Sequence, residues 1–159
     1  MGRTRLGHLA KLYVDTVNNW TTPMWIEVPN VSNLTLNLSH ATADVTTRAH
    51  AGWRTQVATL KEATIEFDML DVAMLDVAGD PSVAQIRQAF FNRSQLHVLC
   101  LNGPRDEAGS WGIKSLVEVT RFNRAEQMGQ AIVISVTFVV SPLLDGDVYR
   151  YPEYFEVTL

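Results

Sequence analysis

From Thr64 to Met69 the chain alternates strictly, with Ile65, Phe67 and Met69 apolar and Thr64, Glu66 and Asp68 polar. A period of two sends the first set to one side of an extended backbone and the second set to the other. The segment therefore reads as a strand with one dry face and one wet face. The residues just before it have no such face. They run Ala43-Asp44-Val45-Thr46-Thr47-Arg48 and then Gly52-Trp53-Arg54. Thr46 and Thr47 favour extended backbone, but the charges of Asp44, Arg48 and Arg54 surround them, and Trp53 is the lone large aromatic. Such a segment is poor material for a core. It suits a loop or ribbon over about residues 40–54 that lies against another surface, with Trp53 as its anchor. A plain surface hairpin whose Trp53 folds back on its own domain fits the same residues, and shape alone does not separate the two readings.

On either side the chain is mostly strand. Residues 8–16 make a first strand, ended by the turn-forming Asn18, Asn19 and Pro23. A short strand over Met24 to Val28 follows, then Leu34, Leu36 and Leu38 alternate with Thr35, Asn37 and Ser39. Residues 54–71 read as a strand pair. Met69-Leu70-Asp71-Val72-Ala73 is repeated at once as Met74-Leu75-Asp76-Val77-Ala78. A period of five suits neither strand nor helix, so the copy reads as an expanded loop. One helix is expected over about 81–92: Asp80 is a good N-cap, Pro81 suits the first helical position, and Val83, Ile86 and Phe90 share a face that Phe91 widens. Further strands are expected at Leu96–Leu101, around Val117 and Val119, and over Ile132–Phe138. Asp145-Gly146 offers a tight turn before a terminal strand. The fold class is mainly β, a β-sandwich or barrel with one flanking α-helix, in a single domain spanning 1–159 with a C-terminal extension over about 142–159.

Composition narrows the function. The chain of 159 residues is 47% hydrophobic and 19% charged, which is globular, and long enough to hold a core without disulfide or metal. The lone Cys100 lies in an apolar run and reads as a buried, inert thiol. No apolar run approaches the ~20 residues of a membrane span, and no apolar segment follows Arg3 and Arg5, so synthesis in a reducing cytoplasm is expected. A net charge of −4 argues against wrapping nucleic acid by phosphate neutralisation. His8, His40, His50 and His97 have none of the spacings a metal needs, so no metal and no cofactor is expected. Glu66/Asp68 and Asp106/Glu107 read as solvated carboxylates, and Gly103, Gly109 and Gly112 as turn chemistry. No catalytic motif is present. A small-ligand barrel would need a cavity-lining aromatic cluster, and the aromatics are spread along the chain.

The order of these segments resembles the tail tube (major tail) proteins of long-tailed bacteriophages. The similarity lies in Val31–His40, the Ala43–Arg48 run, Gly52-Trp53-Arg54 and Leu60–Met69. It continues through the helix to Phe90, Gly112 to Phe122, Ala131 to Phe138 and the aromatic ending Tyr151–Val157. That resemblance implies a structural, non-enzymatic virion protein made in the bacterial host cytoplasm. It implies hexameric rings that stack into a tube in the virion tail. Tape-measure and other tail proteins would be partners, and viral DNA would pass without specific binding. The tubes of contractile injection and type VI-like secretion machines are the second use of the architecture. Asp44, Arg48, Trp53 and Arg54 then form the assembly contact, because the long loop of such proteins reaches neighbouring subunits. Glu66, Asp68 and Glu118 would line the bore, where negative charge repels phosphate across a Debye length of ~8–10 Å.

Overall fold

The computed structural model describes residues 10–17, 19–29, 31–70, 81–141, 143–145 and 148–158. Seven strands follow one another across a single antiparallel sheet. In chain order they are β1 (Lys11–Asp15), β2 (Trp25–Glu27), β3 (Val31–Asp44), β4 (Gln56–Leu70), β5 (Gln95–Leu101), β6 (Trp111–Ala125) and β7 (Val133–Val140). Their spatial order is β2-β1-β5-β6-β7-β4-β3. The C-terminal extension forms a small hairpin, β8 (Leu143–Asp145) with β9 (Val148–Arg150), and then β10 (Glu153–Glu156), which pairs with the first residues of β6. The helix α1 (Pro81–Asn92) begins at the expected proline. The expected N-cap Asp80 and the second copy of the five-residue repeat lie outside the described residues.

The alternation at Thr64–Met69 holds: Ile65, Phe67 and Met69 are buried and Glu66 is exposed. These three pack with Leu12 and Val14 of β1, Val98 of β5, Val117 of β6, and Ile134, Val136 and Phe138 of β7. Ile86 and Ala89 bring α1 onto the same core. One sheet can enclose such a core only by curling. β3 comes close to β1, yet the two share no hydrogen-bonded ladder, so the sheet is open and not a closed barrel.

Four expectations need correction. Residues 54–71 do not form a strand pair: β4 is one strand of 15 residues, and its partner is β3. The first part of the expected 40–54 loop, residues 40–44, is therefore ladder, paired as far as Asp44↔Gln56, which leaves 45–55 as the connection. The helix face is narrower than expected. Phe91 is 72% exposed and Phe90 half-buried against Phe122, while Ala89 takes the place in the core. Finally, Gly112 is a strand residue rather than a turn. A Cβ there would sit 1.6 Å from the Cys100 carbonyl oxygen, so only glycine lets β6 run this close to β5.

Candidate assembly surface

β3 and β4 outrun the sheet. β7 pairs with β4 only from Thr64 to Leu70, whereas β3 follows β4 out to Gln56. Beyond that point Asn37–Thr42 and Gln56–Glu62 are exposed at every position, so neither face of this two-stranded arm is dry. Leu38, Val57 and Leu60 are among the large apolar side chains it leaves in solvent. A lone two-stranded hairpin is marginal in water, and its open edges invite pairing. The ladder explains why the arm is ordered at all, since it continues β strands anchored in the core.

The arm tip is built by short polar contacts. Asp44 accepts from the backbone N–H of Thr46 at 2.9 Å and from its hydroxyl, and pairs with Arg54 at 3.2 Å. These bonds, those from Thr46 first, hold its carboxyl below the usual carboxylate range. Thr55 donates its N–H to the Thr46 hydroxyl at 2.8 Å, and Val45 donates to the Thr55 carbonyl. A 3-10 turn over Arg48–His50 leads into Ala51 and Gly52, both at positive φ (50° and 84°). The chain thereby turns back with Trp53 thrown outward, 78% exposed. Asp44, Arg48, Trp53 and Arg54 thus share one tip, and Trp53 does not fold back on its own domain.

Glu66, Asp68 and Glu118 also share a surface. Glu66 and Asp68 are two apart on β4, and Glu118 faces Val139, which faces Thr64, so all three lie on the wet side of the sheet. Their surroundings differ. Asp68 accepts from Asn33 Nδ2 at 3.0 Å and Ser135 Oγ at 2.7 Å, and these bonds lower its pKa. Asn33 reaches it from a bulge in β3, in the left-handed conformation that asparagine tolerates (φ 53°). Arg121 sits in the same cross-strand row as Glu66 through Thr137, so the face is mixed in charge rather than purely acidic.

A polar cluster under the other end of the sheet escaped the sequence reading. Asp15 and His97 are both buried, with Oδ2 and Nδ1 3.0 Å apart. The Asp15 carboxylate also accepts from the backbone N–H groups of Val17, Asn19 and Met24, at 2.8–3.0 Å. Burial alone would raise its pKa, but these bonds together outweigh burial and lower it. His97 lies between Trp20, stacked at 4.7 Å, and Trp25 at 4.6 Å. Burial depresses its pKa, only partly offset by Asp15, so the imidazole is neutral and donates from Nδ1. Lys114 Nζ caps Trp20, 4.6 Å from the ring centroid and 2.9 Å from its carbonyl oxygen. Two of the aromatics that the sequence showed as scattered, Trp20 and Trp25, meet here. With an acid and a base locked away from solvent, the cluster is a clasp for the 16–24 loop. No signal in the sequence pairs Asp15 with His97, because 82 residues separate them.

No group of three metal-ligating side chains occurs among the described residues, and none of their helices is long and apolar enough to cross a membrane. The Cys100 thiol is buried, with its pKa pushed up to about 12.

No protein-family model and no curated protein sequence matches the chain. Solved structures do. The tail of an empty gene transfer agent (GTA) particle, computed with C6 symmetry, aligns with a TM-score of 0.69 at 12% identity over 88% of this chain and 96% of that one. The SPP1 tail tube aligns with a TM-score of 0.66 at 12% identity, over 86% and 76%. The anti-feeding prophage (AFP) baseplate aligns over the full length of both chains, with a TM-score of 0.62 at 10% identity. At these identities the likeness is one of fold, and the chain has the fold seen in these tail and baseplate assemblies.

Proposed function

We propose that this protein is the subunit of a phage tail tube: a structural virion protein that closes into hexameric rings and stacks into the conduit for viral DNA. The observation that carries the reading is the β3–β4 arm, exposed on both faces and bearing Trp53 at its tip, on a fold similar to that of the SPP1 tail tube. An arm with no dry face of its own is stable and useful when a neighbour supplies that face. Ring closure by head-to-tail contact needs two different patches on each subunit, and the tip with Asp44, Arg48, Trp53 and Arg54 is one of them. The role is structural rather than enzymatic. Tape-measure and other tail proteins complete the assembly. Glu66, Asp68 and Glu118 face the bore, where DNA slides without being held.

The likeness to the AFP baseplate favours a second reading in the same class, the tube of a contractile injection machine. Negative-stain microscopy of the concentrated protein tests both. Six-fold rings or tubes are the expected result. A particle that stays monomeric at every concentration, or that retains a co-purified small ligand, refutes the tube reading. Tubes found within purified virions, with DNA delivery dependent on them, separate the phage conduit from the injection machine.

A further inference from the structure

At the root of the arm, where β7 leaves the edge of β4, the surface sinks into a groove of about 630 Å³. Leu38, Ala63, Val139, Val140, Tyr151 and Pro152 make its larger, apolar part, and the polar remainder of the lining includes Ser39, Lys61 and Glu62. The groove along α1 is different in character, lined largely by the polar Gln85, Gln88, Asn92 and Gln95. The arm-root groove is thus a place for an apolar side chain, and its volume lies in the range that takes a whole small molecule. An indole fits there with its flanking backbone.

We propose that this groove receives Trp53 from the arm tip of a second copy of the chain. The inference rests on the tube reading and deepens it by naming the second patch of the head-to-tail contact. A subunit's own tip cannot fill the groove. Leu38 and Asp44 lie six positions apart on β3, about 20 Å at strand spacing, and the tip lies beyond that. A ladder paired over that length does not fold back on itself. Charge agrees as well. The tip presents Arg48 and the Asp44–Arg54 pair, and the groove lining includes Glu62 and Lys61, so each sign has an opposite to meet. Trp53 brings roughly 150–250 Å² of ring surface to a site lined by aliphatic and Tyr151 side chains. Because tip and groove are opposite ends of one arm, every subunit both gives and receives, and the contact repeats from copy to copy.

The test uses two variants that each add one cysteine and leave Trp53 and the apolar lining in place: Ala51→Cys at the tip and Ser39→Cys in the polar part of the groove wall. The two proteins are prepared separately, mixed under conditions where rings form, and treated with a short-span bis-maleimide. Cys100 is buried and does not compete. A cross-linked pair is expected from the mixture at least tenfold above either protein alone. Rings that form without this product overturn the groove assignment while leaving the ring reading intact. A wild-type protein that forms no rings overturns the ring reading and the inference with it. As a second measure, Trp53→Ala and Leu38→Arg should each raise the midpoint concentration of assembly about thirtyfold. The double variant should be no worse than either single variant, because both remove one contact. Losses that multiply refute a shared contact.

Discussion

Replacing Asp15 with alanine tests whether a buried carboxylate holds the loop over residues 16–24 in place. In the native chain this side chain is fully buried and accepts four hydrogen bonds, three from the loop backbone and one from His97. Asp15→Ala leaves all four donors without that partner. Val17, Asn19 and Met24 lie near solvent, so water recovers part of the loss there, whereas His97 Nδ1 is sealed beneath Trp20 and Trp25. Leaving the buried His97 donor unsatisfied costs about 1–3 kcal/mol, and the lost carboxylate bonds to the loop, partly replaced by water, bring the total to about 3–5 kcal/mol. For a chain of this size that is a fall in Tm of about 6–20 °C. Differential scanning calorimetry at pH 8 measures it. A fall below about 3 °C would refute the reasoning, since it would mean the carboxylate carries less than a single ordinary hydrogen bond.

The same cluster predicts a pH dependence. His97 has a folded pKa below its unfolded value, so its contribution is fully present above about pH 6.5 and is lost as pH falls below it, because the unfolded chain takes up a proton the folded one refuses. Asp15, also depressed, adds a second loss only below its usual value near 3.8. In urea titrations between pH 8 and pH 5, His97→Gln should flatten the fall in stability that Asp15→Ala retains; parallel slopes in all three proteins would contradict this. Gly112→Ala should cost well over the 1–3 kcal/mol of ordinary overpacking, because the new Cβ meets a backbone oxygen that cannot swing aside. Amide exchange should then rise in β5, β6 and β10 together. Ile86→Ala, at a fully buried helix position, should lower stability by about 2–5 kcal/mol, and Phe90→Ala by about half of the 3–5 typical of a fully buried ring. Chemical denaturation that ranks Phe90 above Ile86 would overturn the helix packing. Glu66→Lys with Glu118→Lys, which spares the hydrogen-bonded Asp68, should leave tube length unchanged and slow DNA delivery by the particle. Normal delivery assigns the bore lining to other residues.

The local pattern already determined much of this molecule. The alternation Ile65-Phe67-Met69 specifies a half-buried strand because side chains on a strand have only two directions to take, and one is dry. Pro81 at the first helical position specifies where α1 begins, because its missing N–H has no partner to lose there. For Trp53 the pattern offered no place to bury it, but only the structure chose between an outward tip and a ring folded back on its own domain. What lay beyond reach were facts of long-range pairing. Whether residues 40–44 belong to a loop or to the outer end of a long ladder depends on β3 matching β4 across the chain, and hydrogen-bond register leaves little trace in composition. Gly112 looks like any turn glycine until the Cys100 carbonyl is placed against it. Phe91 sits next to Phe90 in sequence but faces solvent, because a helix of this length meets the sheet along one narrow stripe. Asp15 and His97 come together only when β1 pairs with β5, and burial then gives two ordinary polar residues their depressed pKa values and their hold on the loop. Each strand's wet and dry sides are a property of the sequence nearby, whereas which wet residues meet, and which are sealed off, is decided by the curl of the sheet.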